Sequence, residues 1–330
     1  MPNVADRRLR IGVPLSLSGK YARFGEQVGL GLDIWRGFHP SMELIVEDDR
    51  SDPEVLEGML RRLSSRCDLL LGPYSTRLMR RAGRIAVELD RLIWNHGGSG
   101  DDVEAAHPGH VVSVLTPTSR YAEPFVRRLD HRDPLWIAEG KGSFGRQVAA
   151  GAQACADELG IPVIRVGPGD ALPEGGSWNL LCAGSFDEDV EVIGRAGSPR
   201  VVCAVAAGVR EFGDAVDDPR GIYGVGQWFP GSGGEAAIGM SERDFVEAYR
   251  ERAGVLPDYP AVQAAAAAII ATHCAEEAGS AEREELWAVA GALETSTLFG
   301  AFAIDPRTGL QVGHRAVLTR WEADGPVAVG

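Results

Sequence analysis

Residues 67–99, CDLLLGPYSTRLMRRAGRIAVELDRLIWNHGGS, constrain the fold more than any other part of the chain. An apolar run at 68–71 is followed by a Gly72-Pro73 turn, a helix-period segment, a second apolar run at 92–94 and a Gly-rich loop. Strand, helix and strand in succession specify parallel strands, because a crossover is what joins them. Both loops then fall at the carboxyl ends of strands, where open α/β sheets place ligands. Each loop carries small hydroxyl residues: Ser75 and Thr76, after Tyr74, where the helix begins, and Ser99, after Gly97 and Gly98, in the neighbouring loop. Hydroxyls and free N–H groups at a helix start make a place for a carboxylate or another anion. On the residues alone, a helix cap at Ser75 or Thr76 and a turn-filling Ser99 is the competing reading.

With 330 residues the chain is long enough for two cores, and its strand-helix alternation predicts two similar α/β halves. Lys and Arg number 33 against 47 Asp and Glu, a net charge of −14. Nucleic acid and anionic membranes call for a basic face, so neither is expected as a partner. No apolar run reaches the roughly 18 residues of a membrane span. The opening MPNVADRRLRIGVPLSL has basic residues, but its apolar part contains Gly12 and Pro14 and reads as a strand, so no signal peptide is expected. Cys67, Cys155, Cys182, Cys203 and Cys274 are scattered and odd in number, which favours buried free thiols over disulfides or zinc.

No metal or cofactor is expected. His107 and His110 lack a third ligand nearby and read as solvated loop residues. The first loop does not make G-x-G-x-x-G, since Gly29 and Gly31 fall in a helical stretch and Ile34 takes the third position. Neither GPYST nor GGSGD fits G-x-S-x-G, and no Ser or Cys has an obvious His partner, so enzyme activity is not expected.

In chain order, a strand at 10–17 leads through SGKYARF into a helix beginning near Gly25, which brings Ser18, Tyr21 and Phe24 beside the loops already described. A strand at 42–47 follows, then a helix opened by Asp52-Pro53, with Pro at the first helical position. After an apolar run at 111–115, residues 116–120 lead into a helix at 122–129, and the first passage between lobes is expected there. Apolar runs at 135–138, 163–166, 178–182, 201–205 and 222–225 predict a second parallel sheet. A long helix pair and terminal strands joined by a turn at 305–309 complete the chain. Arg77, Arg80, Arg81 and Arg84 share one helical face, either a docking surface or a solvated face with Arg84 and Glu88 as an i,i+4 pair.

IGVPLSLSGKYARFGEQVGLGLDIW, VEDDRSDPE, DLLLGPYST, DFVEAYRERAGVLPDYPAVQAAAAA and FGAFAIDPRTGLQVGHRAVLTRW, in register along nearly the whole chain, resemble the type I periplasmic binding proteins of the leucine/isoleucine/valine-binding group. The resemblance implies two Rossmann-like lobes with parallel central sheets, joined by a three-crossover hinge. Lobe 1 would be 1–118 plus 229–312, and lobe 2 would be 119–228 plus 313–330. It further implies a monomeric, non-catalytic receptor that closes on a small organic acid or amino acid and delivers it to an ABC permease. Such a receptor works outside the cytoplasm once a leader is removed. A cytoplasmic ligand sensor of the same fold, similar to the amide-responsive regulators and acting through a partner protein, is the alternative.

By the same resemblance, Phe24 matches the first-loop aromatic, Thr76 and Ser99 the hydroxyls on the ligand carboxylate, and Gly97 the carbonyl facing its ammonium. Tyr74, Ser75 and Gly98 complete that loop pair. Phe144 stands where the group usually has Tyr, Ser185 lies near another family aromatic, and Trp228 sits at the second crossover. Ala207 occupies the place of the Glu that pairs with an amino acid's ammonium, so an α-amino acid would need Glu139 or another acid to substitute for it. An aromatic or branched apolar carboxylate is therefore expected to bind better than its α-amino counterpart.

Overall fold

The computed structural model describes residues 8–329 and divides the chain into two compact units. Residues 1–7, part of the stretch read above for a leader, lie outside the described residues. The first unit takes the chain up to Thr116 together with Pro230–His314, and the second takes Pro117–Phe229 with the chain from Arg315 onward.

In the first unit, β1 (Arg10–Leu15), β2 (Glu43–Asp48), β3 (Leu69–Leu71), β4 (Ile93–Asn95) and β5 (Val111–Ser113) form a fully parallel sheet in the order β2-β1-β3-β4-β5. Between them run α1 (Ala22–Phe38), α2 (Pro53–Ser64), α3 (Thr76–Glu88) and the single turn α4 (Asp102–Ala105). The Asp52-Pro53 start behaves as its chemistry demands. The Asp52 carboxylate accepts the N–H groups of Glu54 and Val55 at 2.7 and 3.1 Å, and Pro53 opens the helix without a donor to satisfy. Leu70, Ile93 and Val111 pack beneath α2 and α3 in one apolar core.

Crossing to the second unit, the helix expected at 122–129 is only a one-turn α5 (Glu123–Val126), preceded by a 3₁₀ turn at Thr118–Arg120. The N–H groups of Arg128 and Leu129 bond three residues back, to Phe125 and Val126, so the segment tightens and ends instead of propagating. The sheet comprises β6 (Leu135–Glu139), β7 (Val163–Val166), β8 (Asn179–Ala183), β9 (Val201–Ala204) and β10 (Tyr223–Gly226), all parallel. Its helices are α6 (Ser143–Glu158), α7 (Phe186–Arg195) and the short α8 (Phe212–Ala215). Alternation along β9 sends Cys203 into the core under α6 and Ala204 into the core under α7.

The chain then returns to the first unit as α9 (Glu242–Ala253), α10 (Tyr259–Ala278) and α11 (Arg283–Ala292), with a hairpin of β11 (Thr295–Thr297) and β12 (Gly300–Phe302). Sequence reading missed α11, a ten-residue helix whose three charges all lie in its first turn. Helix α10 is buried along nearly all its length. Its backbone meets α1 at Gly31, where a Cβ would lie 2.4 Å from the Ala261 carbonyl oxygen. Finally β13 (Val317–Glu322) and β14 (Gly325–Ala328) join the second sheet antiparallel, giving the order β14-β13-β10-β9-β8-β6-β7.

All five cysteines are buried and unpaired. Among the described residues no helix is long and apolar enough to cross a membrane.

Candidate functional site

Strand order fixes where each unit can hold a ligand. In the first sheet β1 lies between β2 and β3, so the chain turns opposite ways after β1 and after β3, and the crevice opens outside the carboxyl ends of those two strands. The second sheet has the same switch between β6 and β8.

At the first switch point the loops after β1, β3 and β4 converge. Phe24, on the opening turn of α1, stacks on Tyr74 from the loop after β3, with ring centroids 4.5 Å apart and planes 16° from parallel. Tyr21 tilts against the same ring at 6.2 Å. The Tyr74 hydroxyl lies 2.8 Å from that of Tyr259, which opens α10. Tyr259 was not among the expected site residues, although a tyrosine immediately before a proline helix start, DYPAVQ, was there to be read.

Ser75 is the N-cap of α3 and its hydroxyl accepts the Leu78 N–H at 3.3 Å. Its φ of 100° places a residue with a Cβ in a region that favours glycine, a strain that costs of order 1–3 kcal/mol and persists only where surroundings impose it. The imposing neighbour is the loop after β4, because the Ser75 N–H donates to the Gly97 carbonyl at 2.9 Å. The carbonyl expected to face an ammonium is thus already a backbone acceptor, with one lone pair left. Gly97 has to be glycine: a Cβ would sit 2.6 Å from both the Pro73 carbonyl oxygen and the Tyr74 Cα. Thr76 begins α3, and its hydroxyl accepts the Gly100 N–H at 3.2 Å, which leaves its own proton to donate. Ser99 is half-buried in the same loop.

Asn95, wholly buried at the end of β4, organises that loop. Its Oδ1 accepts the N–H groups of Gly97 and Gly98 at 3.0 and 2.9 Å, while its Nδ2 reaches the Gly98 carbonyl at 2.6 Å. The same Nδ2 lies 3.0 Å from Ser113 Oγ and 3.1 Å from Glu104 Oε1. Burial pushes the Glu104 carboxyl up to about 7 and the neighbouring His96 imidazole down to about 4, so both favour their neutral forms. An amide at a strand end, one residue short of Gly-Gly, was the signal for this network in the sequence.

In the second unit, Phe144 opens α6 and meets Tyr121 edge-on at 5.7 Å. The Tyr121 hydroxyl accepts from Gln227 Nε2 at 2.7 Å, and both residues are buried. Ser185 is the N-cap of α7 in a capping box with Glu188: it bonds the Glu188 N–H and carboxylate, and its own N–H is returned to that carboxylate at 2.9 Å. Ala207 is wholly buried in an apolar core, and its carbonyl accepts from Trp321 Nε1 at 2.9 Å. Trp228 is buried with its indole N–H unpartnered. Glu139 is held by Arg165 from β7, through Nε at 2.9 Å and through Nη2. Asp189, not foreseen, ties two loops by accepting Gly184 N–H at 2.7 Å and Ala206 N–H at 2.9 Å, and burial lifts its carboxyl to about 7.

The arginine face of α3 is largely neutralised. Arg80 forks onto Asp102, Arg81 bonds Glu57, and Glu88 pairs with Arg61 instead of Arg84, leaving Arg77 and Arg84 exposed.

A leucine-binding protein from Thermotoga maritima matches with a TM-score of 0.77 at 17% identity, over 98% of each chain. A solute-binding protein of an ABC transporter from Rhodopseudomonas palustris, in complex with 3,4-dihydroxybenzoic acid, gives 0.76 at 14% identity, over 97% of this chain and 95% of that one. The fold is that of the type I periplasmic binding proteins. A branched-chain amino acid transporter substrate-binding protein from Streptococcus pneumoniae, in complex with isoleucine, shares the periplasmic-binding fold at a TM-score of 0.74 and 13% identity, over 98% and 99% of the two chains. No protein-family model and no curated protein matches the sequence.

Proposed function

We propose that the chain is a non-catalytic solute-binding receptor whose two units close on one small carboxylate with an aromatic or branched apolar body, and that it delivers this ligand to the permease of an ABC importer. The observation that carries the reading is the convergence at the first switch point: the N-terminus of α3 with Ser75 and Thr76, the loop with Gly97, Gly98 and Ser99, and the Phe24–Tyr74 stack. Neutral donors and the positive helix end suit a carboxylate, and an aromatic face suits an apolar body. The fold accommodates both chemistries elsewhere, one relative holding a dihydroxybenzoate and another isoleucine. In this chain the acid that an ammonium requires is lacking at Ala207, and Glu139 is engaged by Arg165. Burying an unpaired ammonium costs several kcal/mol, so the acid is preferred to the amino acid. Phe144 and Trp228 are the second unit's contribution to this reading, while Ser185 is committed to its capping box.

Calorimetric titration with 3,4-dihydroxybenzoate and benzoate against isoleucine and phenylalanine tests it. Tighter binding of the amino acids overturns the acid preference, and no binding of either class overturns the receptor reading. Small-angle scattering is expected to show a monomer that compacts at saturation. The receptor works outside the cytoplasm, in the periplasm or at the cell surface. Five unpaired cysteines favour a second reading, a cytoplasmic ligand sensor that acts through a partner protein; a gene neighbourhood without permease genes would support it.

A further inference from the structure

We propose that Glu104 is a positioning residue whose protonation state sets the geometry of the loop carrying Gly97, Gly98 and Ser99, holding it when neutral and loosening it when ionised. The inference rests on that loop being a ligand loop. Three backbone groups of the loop converge on one side chain: Gly97 N–H, Gly98 N–H and Gly98 C=O all bond the Asn95 carboxamide. That carboxamide has two hydrogens facing three acceptors, Gly98 O at 2.6 Å, Ser113 Oγ at 3.0 Å and Glu104 Oε1 at 3.1 Å. Glu104 is the one ionisable member of the network.

The groups that favour its charge are all neutral, the Ser113 hydroxyl, its own backbone and the Asn95 carboxamide, and burial outweighs them. Asp101 and Asp102 precede Glu104 at the start of α4, and Arg80 of α3 is forked onto Asp102 at 2.6 and 2.8 Å. His107 bonds the Glu104 carbonyl through its backbone N–H. Strands β4 and β5 contribute Asn95 and Ser113, neither of which titrates. Burial, reinforced by the charge of Asp101, brings ionisation up to about 7. Neutral Glu104 is a modest acceptor, and Asn95 gives its best hydrogen bond to Gly98. An ionised carboxylate accepts roughly twice as strongly. It draws the hydrogen away from Gly98, and because the carboxamide is planar the same rotation takes Oδ1 off the Gly97 and Gly98 amides.

The test is hydrogen exchange of the peptide covering residues 97–99 in the ligand-free protein, expressed as protection factors between about pH 6 and about pH 8, for wild type and Glu104→Gln. Protection is expected to fall about tenfold in wild type with a midpoint near the carboxyl's titration, and to stay constant in Glu104→Gln. Constant protection in wild type, or a fall that persists in the variant, overturns the proposal. If the variant fails to fold, the carboxyl resonance of Glu104 in wild type must titrate together with the Gly97 and Gly98 amide shifts, and independent titration overturns the proposal just as well. Parallel calorimetry with 3,4-dihydroxybenzoate separates the two readings. A pH-linked loop without binding rejects the ligand loop and keeps the coupling, whereas binding without a pH-linked loop rejects Glu104 alone.

Discussion

In the first unit the loop after β4 is held by a neutral carboxamide, Asn95, whereas in the second unit the loops after β8 and β9 are held by a carboxyl group, Asp189. A carboxamide both donates and accepts, so it can fold one loop back on itself by taking two N–H groups and giving to a carbonyl. A carboxyl group has two oxygens that can each accept, and Asp189 uses one for the N–H of each of two different loops. The hydroxyls divide the same way. Ser185 is committed to a capping box, while Thr76 keeps a proton to donate. The first unit thus has groups left over at its switch point, whereas in the second Ser185 and Asp189 are spent on internal bonds.

The largest effect expected from breaking this comparison is at Asp189. Asp189→Ala strands two buried N–H groups and should cost about 3–5 kcal/mol in denaturant unfolding, whereas Asp189→Asn, which keeps one acceptor, should cost about half as much. Equal costs would mean that the one acceptor left in Asn rescues neither bond.

Next in size is a pH dependence. Glu104 keeps its proton in the fold up to about 7, against 4.5 ordinarily. The folded state therefore binds more protons than the unfolded one across that window. Its contribution is fully present below about pH 4.5 and is lost as pH rises through about 7, some 3 kcal/mol in all. His96, pushed down to about 4, has the opposite slope below 6.5. The difference between wild type and Glu104→Gln isolates the carboxyl: wild type should lose about 1.4 kcal/mol per pH unit relative to the variant within the window. Parallel stability curves would show that Glu104 is ionised in the fold.

How much of this was legible in the sequence follows from the physics of each feature. Asp52-Pro53 announced a helix start because local chemistry alone decides it, and the parallel strands were legible as apolar runs between helical stretches. The short α5 was not, since its helix-period residues gave no sign that the bonds would tighten to three-residue spacing. The positions of Thr76 and Phe24, on the first turns of the helices after β3 and β1, were readable from the apolar runs before them. Glu104 and Asp189 were not, because a buried carboxyl acquires its role from partners 9 or 17 residues away. The Glu88 carboxylate shows the same limit: helical spacing pointed to Arg84, and α2 supplied Arg61 instead.

On ligand binding, Thr76→Ala and Ser99→Ala should each weaken 3,4-dihydroxybenzoate by about 1.5–3 kcal/mol, the worth of a hydrogen bond to a charged group. Calorimetry on both variants checks this, and Ser185→Ala is the contrast. It should cost about 1 kcal/mol of stability as a lost cap and leave affinity unchanged. A loss of affinity at Ser185 with none at Thr76 would reverse the assignment of polar work to the first unit.

The smallest expected effect concerns Glu139. Its pairing with Arg165 is a half-exposed ion pair, worth about 0–1 kcal/mol to stability. Arg165 holds Oε2 of this carboxylate through two nitrogens, so the charge that an ammonium would need is already neutralised by the guanidinium. Glu139→Gln should therefore leave affinity for isoleucine and for 3,4-dihydroxybenzoate unchanged, with the unfolding midpoint shifted only slightly. If isoleucine binding instead weakens severalfold while the acid is unaffected, Glu139 leaves Arg165 to meet the ammonium. The second unit would then contribute a charged group to recognition, and the assignment of polar recognition to the first unit would fail.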